Sequence, residues 1–137
     1  MRRMNIDQCC CPPNKEIHKT ALGAEESVEW QYYKETLEAV KALQEEGYTV
    51  YAVEQAHDSI TLEEAAEKVE SERRKEESKI AVILGHEVFG VQQEVIDHCS
   101  QCIEIPQYGT KHSMNVSVTA GSVMYRLASS LRLATKK

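Results

Sequence analysis

Ile80-Ala81-Val82-Ile83-Leu84 is a continuous apolar run that ends at Gly85. A run of this length and composition is typical of a strand buried on both faces of a parallel sheet. The segment Tyr48-Thr49-Val50-Tyr51-Ala52-Val53 is rich in β-branched and aromatic residues and predicts a second strand. Apolar residues at helical spacing over 33–46, followed by Gly47, predict a helix directly before it. The sequence therefore indicates an α/β fold.

Further elements follow in the second half of the chain. Residues 91–99 predict a short helix, and residues 102–105 predict a short strand that stops at Pro106. Residues 113–133 predict a helix that is apolar on two faces. One face carries Val116, Ala120, Val123, Leu127 and Leu131, and the other carries Met114, Val118, Gly121 and Tyr125. Such a helix needs burial on more than one side, inside the domain or against a second subunit.

Two segments give weaker signals. Residues 12–30 mix proline, glycine and polar residues, which predicts a loop with short elements and a strand over Ser27–Trp30. Residues 61–79 are densely charged and offer few apolar anchors. We expect them to form a solvent-facing helix or a mobile insertion, and we assign them no chemistry.

Length and charge narrow the class of protein. The chain has 137 residues, with 16 Lys plus Arg against 22 Asp plus Glu and a net charge of −6, which suits one domain and argues against a generic basic nucleic-acid coat. Its start lacks the apolar stretch of a signal peptide, and it contains no run of membrane-spanning length. We therefore expect a cytoplasmic protein.

The stretch from Ile105 to the C-terminus carries five basic residues and no acidic one, so a polyanion is expected to approach this third of the chain.

Two loops after predicted strands are the candidate ligand site, because ligands of open α/β sheets lie beyond the carboxyl ends of the strands. They are Gly85-His86-Glu87-Val88-Phe89-Gly90 and Pro106-Gln107-Tyr108-Gly109-Thr110-Lys111-His112. The first is not a phosphate loop, because Val91-Gln92 stands where lysine and a hydroxyl residue are required. A G-x-G-x-x-G dinucleotide fingerprint is also absent from the sequence.

The same loops resemble two motifs of the SpoU/TrmH-type RNA 2′-O-ribose methyltransferases. Residues 83–91, Ile-Leu-Gly-His-Glu-Val-Phe-Gly-Val, resemble the second family motif, an apolar strand followed by G-N/x-E-x-x-G. Residues 105–118, Ile-Pro-Gln-Tyr-Gly-Thr-Lys-His-Ser-Met-Asn-Val-Ser-Val, resemble the third, I-P-M-x-G followed by S-L-N-V-S-x-A. Residues 13–24 also resemble a segment upstream of these motifs in bacterial members. The resemblance covers roughly residues 12–130 outside the charged stretch.

The resemblance implies a parallel sheet flanked by helices, with a C-terminal trefoil knot, in one domain over residues 1–137. It implies S-adenosyl-L-methionine as cofactor, RNA (tRNA or rRNA) as substrate, and a homodimer that builds the RNA site. By position, the expected cofactor-binding residues are Leu84, Gly85, Ile105, Pro106, Gly109 and Met114. The expected catalytic polar residues are Glu87, Ser113 and Asn115. On physical grounds Ser113 can also cap the terminal helix, and Asn115 can hold loops through hydrogen bonds.

The first family motif, with its catalytic arginine, has no counterpart in the few residues before Pro12. We therefore expect an N-terminally truncated domain with weak or no activity, and we assign no arginine to catalysis. One alternative is a truncated or degenerate member that binds the cofactor or RNA, or dimerises, without catalysis. Another is a small zinc or redox protein that uses Cys99 and Cys102 together with Cys9-Cys10-Cys11, although adjacent cysteines make poor joint ligands.

Overall fold

A computed structural model describes residues 31–72, 79–85, 90–109 and 114–133. The described elements, in chain order, are α1 (Thr36–Glu45), β1 (Tyr48–Val53), β2 (Ile60–Thr61), α2 (Leu62–Glu72), β3 (Lys79–Leu84), α3 (Gln93–His98), β4 (Gln101–Glu104) and α4 (Val116–Leu133). Among these residues, no helix is both long and apolar enough to cross a lipid bilayer. The predicted strand over Ser27–Trp30 lies outside the described residues.

The four strands form one sheet in the order β2-β4-β1-β3, and every pairing in it is parallel. The prediction of a parallel α/β sheet is therefore confirmed. Each of the three longer strands lies within one residue of its predicted bounds. Because the strands are parallel, the loops after β1, β3 and β4 all leave from the same edge of the sheet.

Helices cover both faces of this sheet, as period-two side-chain alternation requires. On one face, Tyr51 of β1 packs with Ile103 of β4 and with buried residues of α2 and α4. On the other face, Val50 of β1 packs with Val40 of α1 and Val95 of α3. The sheet is thus the middle of three layers, and adjacent residues of β1 serve two separate cores.

The strand over residues 79–84 differs from its prediction. We expected it to be buried on both faces, but among the described residues β3 forms an edge of the sheet, and Ile80–Ile83 are only partly buried. The central strand is β1, in which Val50, Tyr51 and Ala52 are buried. An apolar run shows that both faces are covered to some degree, but it does not show the position of the strand in the sheet.

The charged stretch after β2 contributes more buried side chains to the hydrophobic core than its composition predicts. Leu62–Glu72 is a helix, and its Ala65, Ala66 and Val69 are almost fully buried. It starts with a capping box, in which the backbone N–H of Thr61 donates to Glu64 Oε2 at 2.8 Å and the backbone N–H of Glu64 donates to Thr61 Oγ1 at 3.3 Å. The backbone N–H and the hydroxyl of Thr61 both donate to the Glu64 carboxyl, and these two hydrogen bonds hold its pKa below its ordinary value. Two alanines supply a flat face that lets α2 pack closely, so the segment needs few large apolar residues.

The terminal helix begins later than predicted. It starts at Val116 rather than at 113, and Asn115 takes the capping position, because its Oδ1 accepts a hydrogen bond from the backbone N–H of Ser117 at 2.8 Å. Ser113, to which we assigned the capping role, lies outside the described residues. In the middle of the helix Val123 and Leu127 are buried against the sheet and α2.

Candidate functional site

At the carboxyl edge of the sheet, the described ends of the two predicted loops lie on either side of β1. Since β1 lies between β3 and β4, the residue after β1 separates the Gly85 loop from the Pro106 loop. That residue is Glu54, and its backbone N–H donates to the carbonyl of Ile103 in β4 at 3.1 Å. Glu54 lies outside both motifs and was not among the predicted site residues. A charged residue directly after a buried strand, at the edge where ligands bind, was the available signal.

A groove of about 480 Å³ lies beyond β4. Its walls are the residues that follow the strand and the start of α4, namely Pro106, Gln107, Tyr108, Gly109, Met114, Asn115 and Val118. As the described residues form it, the groove is wide open to solvent, and its volume falls in the range of small-molecule sites. Four predicted site residues (Pro106, Gly109, Met114 and Asn115) therefore line one surface, although they come from two segments of the chain.

Two of the other predicted cofactor residues lie at the end of β3. Leu84 is 37% exposed at the carboxyl end of the strand. Gly85 lies against the backbone of Gly90 and Val91, since a Cβ atom built on Gly85 would be 2.5 Å from the Gly90 carbonyl carbon and 2.6 Å from the Val91 nitrogen. Only glycine fits such a close approach of two backbone segments. The ends of the second motif therefore meet, while residues 86–89 between them, including Glu87, lie outside the described part of the chain.

Ile105 has a different environment from the other predicted cofactor residues. Its side chain is partly buried and packs against the core cluster that contains Tyr51 and Ile103. A contact between this residue and a ligand in the groove would therefore use its backbone groups. Ser113, predicted as a polar site residue, lies outside the described residues.

The basic C-terminal third is partly neutralised by an acidic helix. Arg126 in α4 forms an ion pair with Glu63 in α2, with 2.8 Å between Arg126 Nη2 and Glu63 Oε2. The same contact raises the pKa of Arg126, chiefly through the hydrogen bond to Glu63. We expected a polyanion to approach this third of the chain, and one of its basic residues, Arg126, has an intramolecular partner. Lys111, Lys136 and Lys137 lie outside the described residues.

The described cysteines do not have the environment of metal ligands or nucleophiles. Cys99 and Cys102 are both free thiols, and Cys99 Sγ donates a hydrogen bond to the carbonyl of Val95 at 3.1 Å. Burial raises the pKa of Cys99 to about 11 and also raises the pKa of Cys102. A thiol with a raised pKa stays protonated near neutral pH, and the thiolate is the form that attacks or binds metal. Within the described ranges, no group of three or more metal-binding side chains occurs.

Comparison with known proteins gives the family. Residues 3–125 match the sequence model of the SpoU rRNA Methylase family. The chain belongs to this family.

Two curated relatives of this SpoU chain modify different RNAs. It is 31% identical over 111 residues to a tRNA (guanosine(18)-2′-O)-methyltransferase of Borreliella burgdorferi, a match that covers 81% of the chain and 47% of the relative. It is 28% identical over 115 residues to the 23S rRNA (guanosine-2′-O-)-methyltransferase RlmB of Neisseria meningitidis, covering 81% of the chain and 40% of the relative. The chain thus spans about half the length of the curated relatives it matches.

Solved structures share the fold of this SpoU chain. A crystal structure described as an RNA 2′-O ribose methyltransferase superposes with a TM-score of 0.74 at 19% identity, over 92% of this chain and 45% of that one. The Aquifex aeolicus TrmH/SpoU tRNA modifying enzyme superposes with a TM-score of 0.66 at 21% identity, over 85% of this chain and 53% of that one. The α/β fold flanked by helices is therefore the fold of these proteins.

Proposed function

We propose that this protein is an S-adenosyl-L-methionine-dependent methyltransferase that modifies a ribose 2′-OH of tRNA or rRNA. Family membership and the names of the relatives support this activity. One structural observation carries it: the residues of the third motif line a groove at the sheet edge where the second motif also ends. The proposal includes the C-terminal trefoil knot and the homodimer that the resemblance implies.

The groove fits an adenosyl group by the chemistry of its walls. Pro106, Met114 and Val118 offer apolar surface for the faces of an adenine ring, and the side-chain NH₂ group of Asn115 offers donors for its polar edges. A Cβ atom built on Gly109 would meet no atom of the described residues within 4 Å, so among these residues the backbone there lies open on that side. We assign Leu84, Gly85, Ile105, Pro106, Gly109 and Met114 to cofactor binding.

The reaction is a methyl transfer between two bound partners. When bound, S-adenosyl-L-methionine supplies an electrophilic methyl group, whose bond to sulfur breaks as a bond to the ribose oxygen forms and whose bonding electron pair stays on sulfur. The chain's own contribution is to hold both partners in line, which accounts for much of the rate of such reactions. We assign Glu87, Ser113 and Asn115 to polar contacts with the reacting groups. The proton of the 2′-OH leaves to solvent or to a neighbouring base.

The exposed face of α4 supports the proposed homodimer. Val118 is 54% exposed and Tyr125 is 78% exposed, and both lie on the face that the sequence analysis separated from the core-facing one. Tyr108, at the groove, is 97% exposed. Apolar and aromatic side chains on one surface of this kind suit an interface between subunits. In a homodimer, this surface would continue into the groove through Val118, which belongs to both.

Two measurements test the proposed function. Titration calorimetry of the full chain with S-adenosyl-L-methionine should show saturable binding, and its absence would refute the proposal. Transfer of a tritiated methyl group to bulk tRNA and to bulk rRNA then tests catalysis, and an active enzyme places the label in 2′-O-methylated nucleosides after digestion. Binding without transfer would instead support a degenerate family member that binds the cofactor without catalysis. Zinc at a molar ratio near one in the purified protein would favour the metal-binding alternative.

A further inference from the structure

Glu54, at the carboxyl end of the central strand β1, forms hydrogen bonds to both sides: to β4 and to the segment that follows β3. It follows the last residue of β1, so its backbone is paired with β4 through the N–H donated to Ile103. Its side chain extends in the opposite direction, towards the second motif, where Oε2 accepts a hydrogen bond from the backbone N–H of Val91 at 3.0 Å. Its other oxygen, Oε1, accepts from the backbone N–H of Gln55 at 3.2 Å. Both carboxylate oxygens are thus engaged by backbone donors.

The backbone next to the Glu54 carboxylate is packed so closely that only glycine fits at positions 85 and 90. Gly90 has φ of +66°, a left-handed conformation, and a Cβ atom added to it would overlap the Glu54 carboxylate. On its other side the Gly90–Val91 peptide lies against Gly85, at the separations given above. The Gly90–Val91 peptide is therefore packed between the Glu54 carboxylate on one side and Gly85 on the other.

We propose that Glu54 is a positioning residue for the cofactor site, holding the Gly90–Val91 peptide against Gly85 so that the Gly85 backbone has the position that binds the adenosyl ligand. The proposal rests on the proposed function of this site. A carboxylate is well suited to the task because ionised acceptors form stronger hydrogen bonds to backbone N–H groups than neutral ones do. Glu54 itself need not contact the ligand, since it acts through Gly85.

Three substitutions in the full chain test this role, with binding of S-adenosyl-L-methionine measured by titration calorimetry. Glu54→Ala removes both acceptors and should weaken binding by about tenfold or more. Glu54→Gln keeps one acceptor oxygen, so its affinity should lie between those of Glu54→Ala and the wild type. Glu38→Gln makes the same exchange on an exposed position of α1 and should bind as the wild type does.

A second readout separates positioning from general loss of structure. Hydrogen exchange at the Val91 amide, measured without ligand, should be faster in Glu54→Ala than in the wild type, whereas amides of the central strand β1 at Val50 and Tyr51 should keep their protection. If protection is lost equally at all three amides, Glu54 supports the whole fold and the proposal is wrong. This readout needs no cofactor, so it applies even to a variant too weak to titrate.

Gly90→Ala gives an independent check through the same contact. In the wild-type background it should weaken binding, because the new methyl group overlaps the Glu54 carboxylate. In the Glu54→Ala background its effect should be smaller, which gives a non-additive double-mutant cycle. Wild-type-like affinity of Glu54→Ala would overturn the inference alone. Failure of the wild type to bind S-adenosyl-L-methionine would overturn the proposed function as well.

Discussion

Arg126 and Glu63 join the terminal helix to the acidic helix across the sheet face. The Arg126 Nε–H donates to both oxygens of Glu63, at 3.1 Å to Oε1 and 2.9 Å to Oε2, and Nη2 donates to Oε2 at 2.8 Å. The remaining nitrogen, Nη1, donates to the Oγ of Ser130 at 2.8 Å, and Ser130 is fully buried. One guanidinium therefore links an exposed carboxylate on α2 to a buried hydroxyl on its own helix.

We expect Arg126→Met to destabilise the fold mainly through Ser130. An ion pair with an exposed carboxylate contributes little, but a buried hydroxyl that loses its hydrogen-bond donor costs about 1 kcal/mol. Urea unfolding at moderate salt measures the difference. Lys41→Met, at an exposed position of α1, is the matched control and should leave the free energy of unfolding unchanged. Equal stability of Arg126→Met and the wild type would show that Ser130 is satisfied without Arg126.

The pair also predicts a direction of acid sensitivity. The hydrogen bond from Arg126 lowers the pKa of Glu63 in the folded state. A lowered carboxyl pKa stabilises the fold above the unfolded-state pKa, and this stabilisation is lost as the pH falls through the folded-state pKa. Glu63→Gln should therefore reduce the loss of stability on acidification. Unfolding curves recorded from neutral pH to below the ordinary glutamate range compare the two proteins, and parallel pH profiles would contradict the assignment.

The fold was predictable where one local property determines the element. The strands at 48–53 and 80–84 are contiguous apolar or β-branched runs, and such runs give strand bounds directly. The position of β3 at the edge of the described strands was not predictable, because strand order depends on contacts between residues far apart in sequence. The core role of α2 was missed because buried alanines carry little hydrophobic signal, although Thr61 and Glu64 have the capping-box spacing.

Asn115 caps α4, and this role can be separated from any role in catalysis. Asn115→Ala should destabilise the protein by about 1 kcal/mol, because the backbone N–H of Ser117 loses its acceptor. Asn115→Asp keeps a capping oxygen and adds a charge that suits a helix N-terminus, so its stability should stay close to that of the wild type. Ser117→Ala retains the backbone donor and serves as the control in thermal and urea unfolding.

Asn115→Asp then shows whether the Asn115 amide has a role in methyl transfer besides capping α4. If Asn115→Asp is as stable as the wild type but transfers fewer methyl groups to RNA, the amide acts on the reacting groups in addition to capping the helix. If stability and transfer are both retained, Asn115 is a helix cap alone. In either case, Asn115→Ala without any loss of stability would contradict the observed cap.

The residues that line the candidate site were predictable in part, for a physical reason. Motif resemblance led to Pro106, Gly109 and Met114 because their spacing along the chain is fixed, and the structure brings them into one groove. Glu54 belongs to no such motif, and its importance arises from the sheet order, which places β1 between the two loops. The ion pair of Arg126 was not predictable either, since Glu63 lies 63 positions away in the sequence and leaves no local pattern.

Cys99 should make the fold sensitive to high pH. Burial raises its pKa to about 11, with a further contribution from Cys102, so the unfolded chain loses this proton at lower pH than the folded one. Stability that is present below the ordinary thiol pKa should therefore fall as the pH rises from about 9 to about 11. Cys99→Ser does not titrate in this range and still offers a donor to the Val95 carbonyl, so its loss of stability should be smaller. Urea unfolding at about pH 8 and about pH 10.5 measures both, and identical losses would contradict the raised pKa.

The exposed face of α4 predicts how the proposed homodimer is held together. Tyr125 is 78% exposed and lies two turns after Val118 on the same face, with Gly121 between them allowing close approach of a partner. Large aromatic residues at the centre of an interface carry much of its binding energy. Tyr125→Lys should therefore weaken dimerisation at least tenfold, as measured by sedimentation velocity over a range of concentrations.

Tyr32→Lys places the same charge at another exposed tyrosine, which is 48% exposed and precedes α1, and should leave the dimer intact. A wild type that sediments as a monomer at all concentrations would refute the proposed dimer. A Tyr125→Lys variant that dimerises as strongly as the wild type would place the interface on a different surface of the protein.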